Sequence, residues 1–128
     1  MKHHILSARS VLVVEPRAIV AWTVGNAFED AGARVVITGR LEEALRLVDT
    51  EHLSGAILPS RLRDGDSGPL CEQLNRRGIP YVMHTGRADL PEACRGAPVV
   101  RKPARRALLV EILGSLIAGQ PIRMESEQ

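Results

Sequence analysis

Apolar residues follow one another along this chain in two alternating rhythms. Unbroken runs rich in β-branched residues, at Ser10–Glu15 (SVLVVE), Arg34–Thr38 (RVVIT), Gly55–Leu58, Pro80–His84 and Val99–Arg101, have the length and content of strands buried on both faces. Between them the apolar positions change to helical spacing. Val20, Val24, Ala27, Phe28 and Ala31 mark a first helix over Arg17–Ala31, with Gly32 as its stop and Pro16 read as a residue of its first turn. Leu41, Ala44, Leu45 and Val48 mark a second, and its first turn holds Glu42 and Glu43, where the helix dipole favours acidic groups. Pro59, which has no N–H for a ladder, closes the third strand. The loop Ser60–Gly68 then carries two glycines and two aspartates. A third helix turns Leu70 and Leu74 inward and ends at Gly78, and Asp89–Arg95 has room for only a short fourth one. Leu108, Leu109, Ile112, Leu113 and Leu116 give the last helix a broad apolar face.

Strict strand–helix alternation predicts an α/β fold in which helices cover both faces of a parallel sheet. Five strands and five helices make it a flavodoxin-like (βα)5 three-layer sandwich with sheet order 2-1-3-4-5. The expected organisation is an extension over residues 1–9, one domain over 10–118 and a polar tail over 119–128 that frays. In open sheets of this kind ligands sit outside the carboxyl ends of the strands. That rule singles out Glu15, Pro16, Pro59, Ser60, Thr85 and Lys102. Strand alternation turns His84 to the side opposite Thr85, which points to a core or surface role for the imidazole.

Composition narrows the function classes. Hydrophobic residues at 45% and charged residues at 25% fit a soluble globular domain. A net charge of +2 with only 2% aromatic residues gives no nucleic-acid stripe, so no direct nucleic-acid partner is expected. No apolar run is long enough to cross a bilayer and Met1–Ser10 lacks the core of a secretory signal, so the reading is cytoplasmic, without a membrane partner. Cys71 and Cys94 have no CxxC spacing and are expected as free buried thiols. His3 and His4 alone make no metal site. No metal, cofactor or catalytic residue is expected, and no GxGxxG, GxxxxGK[ST] or GxSxG motif supports the alternative of a small flavodoxin-like enzyme.

VLVVE at Val11–Glu15, RDGDSG at Arg63–Gly68, HTG at His84–Gly86 and RKP at Arg101–Pro103 together resemble the landmarks of response-regulator receiver domains, over roughly Ser10 to Leu116. The resemblance implies a module of two-component phosphorelay signalling. In that family acids at the end of strand one and an aspartate at the end of strand three hold Mg²⁺ and accept a phosphoryl group, which a Thr or Ser and a Lys contact. Carried over, Glu15 matches the first acid, Pro16 falls where the second stands, Pro59 occupies the phosphoacceptor position, and Thr85 and Lys102 match the last two. Proline has no nucleophilic oxygen, and one glutamate is a poor ligand set for a hard cation. The switch aromatic expected three residues before the lysine is Val99, and the Phe usual after Lys-Pro is Ala104.

The resemblance therefore implies a pseudo-receiver, not an enzyme, acting by protein–protein interaction and independently of phosphorylation. The alternative is a receiver using a substitute acid, Asp64 or Asp66, although aspartates in such loops serve turns and caps. Lys102 has a structural reading as an ion pair with Glu15. The expected partner is a histidine kinase or a regulator, or a second copy in a homodimer. The expected surface holds Arg95, Arg101, Arg105 and Arg106, with Glu92 and Glu111 as opposite charges for a self-complementary contact. Trp22 on the first helix marks the alternative surface.

Overall fold

Residue 5 through residue 119 are described in the computed structural model. The expectations for His3, His4 and most of the polar tail concern residues outside that span.

β1 (Ser10–Val14), β2 (Arg34–Thr38) and β3 (Gly55–Leu58) are joined through α1 (Ala18–Asp30) and α2 (Leu41–Thr50). A hairpin of β4 (Arg61–Leu62) and β5 (Gly65–Asp66) leads into α3 (Gly68–Arg77), followed by β6 (Tyr81–Thr85), a 3-10 turn at Glu92–Cys94, β7 (Val99–Arg101) and α4 (Arg106–Ala118). The large sheet is parallel with order β2-β1-β3-β6-β7. This is the predicted order once the small hairpin is counted apart.

The pleat assigns successive residues of each strand to opposite layers. Leu12, Val14, Ala56, Leu58, Tyr81 and Met83 face α2 and α3, where they meet Ala44, Val48, Leu70 and Leu74. Val11, Val13, Ile57, Val82 and Val100 face α1 and α4, where they meet Val24, Phe28, Leu109 and Leu113. Leu6, in the expected extension, belongs to this second cluster at 2% exposure, and its amide donates to Ala31 O at 2.8 Å. α3 ends at Gly78, whose φ of 67° is the left-handed conformation that closes a helix.

Four expectations need correction. Pro16 lies outside α1, because Arg17 is held extended at the cap with its amide on Glu15 Oε2 at 3.1 Å. The loop after β3 contains a hairpin, with Arg61 opposite Asp66 and Leu62 opposite Gly65. The fourth of five helices is a single 3-10 turn, so the chain has four α-helices among the described residues; Pro91 and Pro98 bound a segment too short to propagate a helix. Cys71 and Cys94 are joined in a disulfide, not free: α3 and the 3-10 turn pack together and bring their Cα atoms to 5.3 Å, a bonding separation. The bond staples that turn to the α3 layer, with both residues fully buried.

Candidate functional site

Because the large sheet is parallel, β1, β3, β6 and β7 deliver Glu15, Pro59, Thr85 and Lys102 to one edge. Glu15 follows β1 directly and its side chain is only 4% exposed. Oε1 accepts from Lys102 Nζ at 2.6 Å, and Oε2 accepts from the Arg17 amide at 3.1 Å and from Arg17 Nε at 3.4 Å. Burial alone would raise the Glu15 pKa, but the Lys102 hydrogen bond, the Arg17 amide and the Lys102 charge together hold it below the usual carboxylate value. Pro16 is half-buried against Gly39. A Cβ at Gly39 would stand 3.2 Å from Pro16 Cα and 3.3 Å from Glu15 O, so a larger residue would have to push the end of β2 back by a few tenths of an ångström.

Pro59 is buried at the end of β3, and its carbonyl accepts a hydrogen bond from Ser67 Oγ. Thr85 forms a second set: its Oγ1 lies 2.9 Å from Ser60 Oγ and accepts from the Arg87 amide at 3.1 Å, while its carbonyl accepts from the Lys102 amide at 3.0 Å. The candidates thus divide between two side-chain networks, Glu15 with Lys102 and Arg17, and Thr85 with Ser60. Ser67 and Arg17 were not singled out by sequence reasoning. The helix-start position of Ser67 and the adjacency of Arg17 to Glu15 were the available signals.

His84 is buried on the α1–α4 side, and its Nε2 has no hydrogen-bond partner among the described residues. Burial foremost, then the Lys102 charge, brings its pKa down to about 4, with Glu15 opposing and Arg17 adding to the effect. Asp64 and Asp66 act as helix caps. Asp64 accepts from the amides of Leu41 at 2.8 Å and Glu42 at 3.1 Å, which holds its pKa below the ordinary aspartate value, and Asp66 accepts from the Gly68 amide at 2.8 Å. Val99 is an exposed aliphatic residue. Arg95, Arg101, Arg105, Arg106 and Glu111 are all exposed.

The donors at this edge do not fit Mg²⁺. Both Glu15 oxygens already face cationic or amide donors, Pro16 and Pro59 bring no side-chain oxygen, and the Pro59 carbonyl is occupied by Ser67. A cation that demands near-octahedral oxygen coordination finds too few free ligands. Among the described residues no three His, Cys, Asp or Glu side chains are grouped so as to hold a metal ion.

No family profile and no curated protein matches the chain. Solved structures do. A CheY-like response regulator receiver domain from Methanospirillum hungatei is 24% identical with a TM-score of 0.80, over 95% of this chain and 100% of its own. A response regulator receiver protein from Sinorhizobium medicae is 20% identical, also at 0.80, over 91% of this chain and 99% of its own. The receiver domain of a sensor histidine kinase from Pseudomonas aeruginosa, solved with magnesium coordinated in its active-site cleft, is 20% identical with a TM-score of 0.74, over 88% of this chain and 99% of its own. The arrangement of strands, helices and carboxyl-edge residues described above is therefore built on the fold of the response-regulator receiver domains.

Proposed function

We propose that this chain is a receiver-like module of two-component signal transduction that works without phosphorylation, as a non-enzymatic, cytoplasmic protein-binding domain. The observation that carries the reading is the Lys102–Glu15 contact of 2.6 Å. β3 and β6 lie between β1 and β7 in the sheet, so the pair reaches across the end of β3, where Pro59 stands. On this reading the phosphorylation pocket is degenerate: Pro59 replaces the nucleophile, Pro16 replaces an acid, and the remaining Glu15 neutralises Lys102 instead of a metal. Asp64 does not substitute, because both its oxygens already cap α2. Among the described residues no helix is long and apolar enough to cross a membrane. In a reducing cytoplasm Cys71 and Cys94 would be adjacent thiols in the same packed site, and their burial slows exchange with thiol reductants.

The expected output surface is the exposed group of Arg95, Arg101, Arg105 and Arg106 with Glu111, next to the short β7 and α4. Its partner would be a histidine kinase, a regulator or a second copy. Incubation with acetyl phosphate and Mg²⁺ tests the chemistry: the intact mass should not change, and a stable single phosphoryl adduct would overturn the reading. Sedimentation of wild type against Arg105→Glu with Arg106→Glu tests the surface. If the charge reversal leaves the association state and the binding of an identified partner unaltered, this face is not the output.

A further inference from the structure

The charge balance of the carboxyl edge carries a separate inference. Most acids there are engaged within the protein: Glu15 faces Lys102 and Arg17, Asp64 caps α2, Asp66 caps α3 and Glu43 accepts from Thr38, whereas Glu42 and Asp89, the latter 3.7 Å from Arg87, are exposed. The arginines are turned outward. Arg40, Arg61 and Arg63 are exposed and form no ion pair with any described residue. Arg40 precedes α2 while Arg61 and Arg63 belong to the β4–β5 hairpin, and the fold sets them around two concavities. Arg40 and Arg63 line a cavity of about 350 Å³ with Pro16, Gly39 and Asp64. Arg61 lines one of about 190 Å³ with Ser60, Asp66 and the Arg87–Asp89 pair. The Asp64 cap ties the tip of the β4–β5 hairpin to the start of α2, so Arg63 is set beside Arg40 before any ligand arrives.

We propose that this edge is a docking site for an acidic peptide segment of a partner protein, with side-chain carboxylates received by Arg40 and Arg63 in one hollow and by Arg61 in the other. The inference rests on the reading that the edge receives no phosphoryl group. Guanidinium groups favour carboxylate oxygens through paired N–H donors, and two small hollows at one edge suit separate side chains of an extended chain. An ordinary scatter of solvated surface charge would not set three arginines without an ion pair around two concavities at the edge where such sheets bind ligands.

The test uses the full chain, without Mg²⁺ or phosphodonor, and a short fluorescent peptide alternating Glu and Ser, with a Gln-for-Glu peptide as neutral control. Fluorescence anisotropy should show binding of the acidic peptide only, weakening as salt is raised. Arg40→Glu with Arg63→Glu should weaken it about tenfold or more, the effect of reversing charges at a contact. Arg9→Glu with Arg34→Glu makes the same change in net charge at the opposite edge of the sheet, and should leave binding close to wild type. Thermal melts verify folding, and Arg40→Gln with Arg63→Gln serves if the reversal unfolds the chain. Equal losses in the two pairs, or no binding by wild type, would overturn the proposal. Displacement of the peptide by inorganic phosphate well beyond a chloride control of matched ionic strength would assign the site to phosphate and also overturn it. Phosphoryl labelling is measured separately, so failure of docking and failure of the phosphorylation-independent reading remain distinct.

Discussion

Lys102 Nζ stands 2.6 Å from Glu15 Oε1, linking residues 87 positions apart across the ends of the two intervening strands. The pair is asymmetric in its surroundings, with the Glu15 side chain 4% exposed and that of Lys102 17%. Removal of the lysine leaves a buried carboxylate supported by Arg17 alone, whereas removal of both charges leaves no buried ion. Lys102→Met should therefore destabilise the fold by about 2 kcal/mol, as expected when one partner of a buried charged hydrogen bond is removed. The double variant Lys102→Met with Glu15→Gln should recover much of that loss. Urea unfolding of the four-member cycle measures the coupling; additive losses would mean that the contact contributes nothing to stability.

His84 sets a pH dependence with its own window. Its folded pKa of about 4 lies below the ordinary histidine value of 6.5, so the unfolded chain binds the proton first and stability falls as pH drops from about 6.5 toward 4. The full shift corresponds to at most about 3 kcal/mol. Glu15 acts in the same direction but lower: its folded pKa is depressed, so its contribution is present above 4.5 and is lost as pH falls through the folded value. His84→Leu should flatten the stability profile between pH 6.5 and 4 and leave the lower limb in place. Urea midpoints collected across that range decide it, and an unchanged upper limb would show that the imidazole does not titrate as its burial requires.

The strands were legible because in a parallel sheet covered on both faces they must be apolar throughout, and β2, β3 and β7 fall where their β-branched runs do. The candidate residues at the carboxyl edge were legible through strand ends and motif order. The hairpin was not, since Arg61, Leu62, Gly65 and Asp66 carry no alternation long enough to mark two strands. His84 showed its face by the pleat, but its unpartnered Nε2 depends on which side chains close around it. The arginines without an ion pair were hidden as well: Arg40, Arg61 and Arg63 are interleaved with acids along the chain, and the engagement of Asp64 and Asp66 as caps exists only in the fold.

Cys71 and Cys94 escaped the sequence reading for a similar reason. A separation of 23 residues identifies no motif, and the contact exists only because the 3-10 turn folds onto α3. A bridge closing a loop of that length constrains the unfolded chain by about 3 kcal/mol. Cys71→Ala with Cys94→Ala should lower stability by an amount of that order, and preincubation of wild type with a dithiol reductant under denaturing conditions should reproduce most of the loss. Equal urea midpoints for oxidised and reduced wild type would show that the bridge adds no stability to the domain.

A single carboxylate placed at Pro59 should not by itself give efficient phosphoryl transfer. In Pro59→Asp a nucleophilic oxygen is placed at the end of β3, but Pro16 still supplies no side-chain oxygen and Glu15 is still engaged by Lys102 and Arg17. Mg²⁺ tolerates incomplete octahedral geometry poorly, so the new carboxylate would have neither a well-held metal nor a free lysine beside it. The new acid would also compete with Glu15 for the Lys102 ammonium, which would shift the carboxylate pKa values more than the chemistry. Adding Pro16→Asp supplies a second acid at the end of β1 and should raise labelling by acetyl phosphate clearly above that of the single variant, read as the fraction of phosphorylated intact mass in Mg²⁺ against a chelator control. If Pro59→Asp alone labels as fully as the double variant, the absence of a carboxylate at position 16 does not limit the reaction.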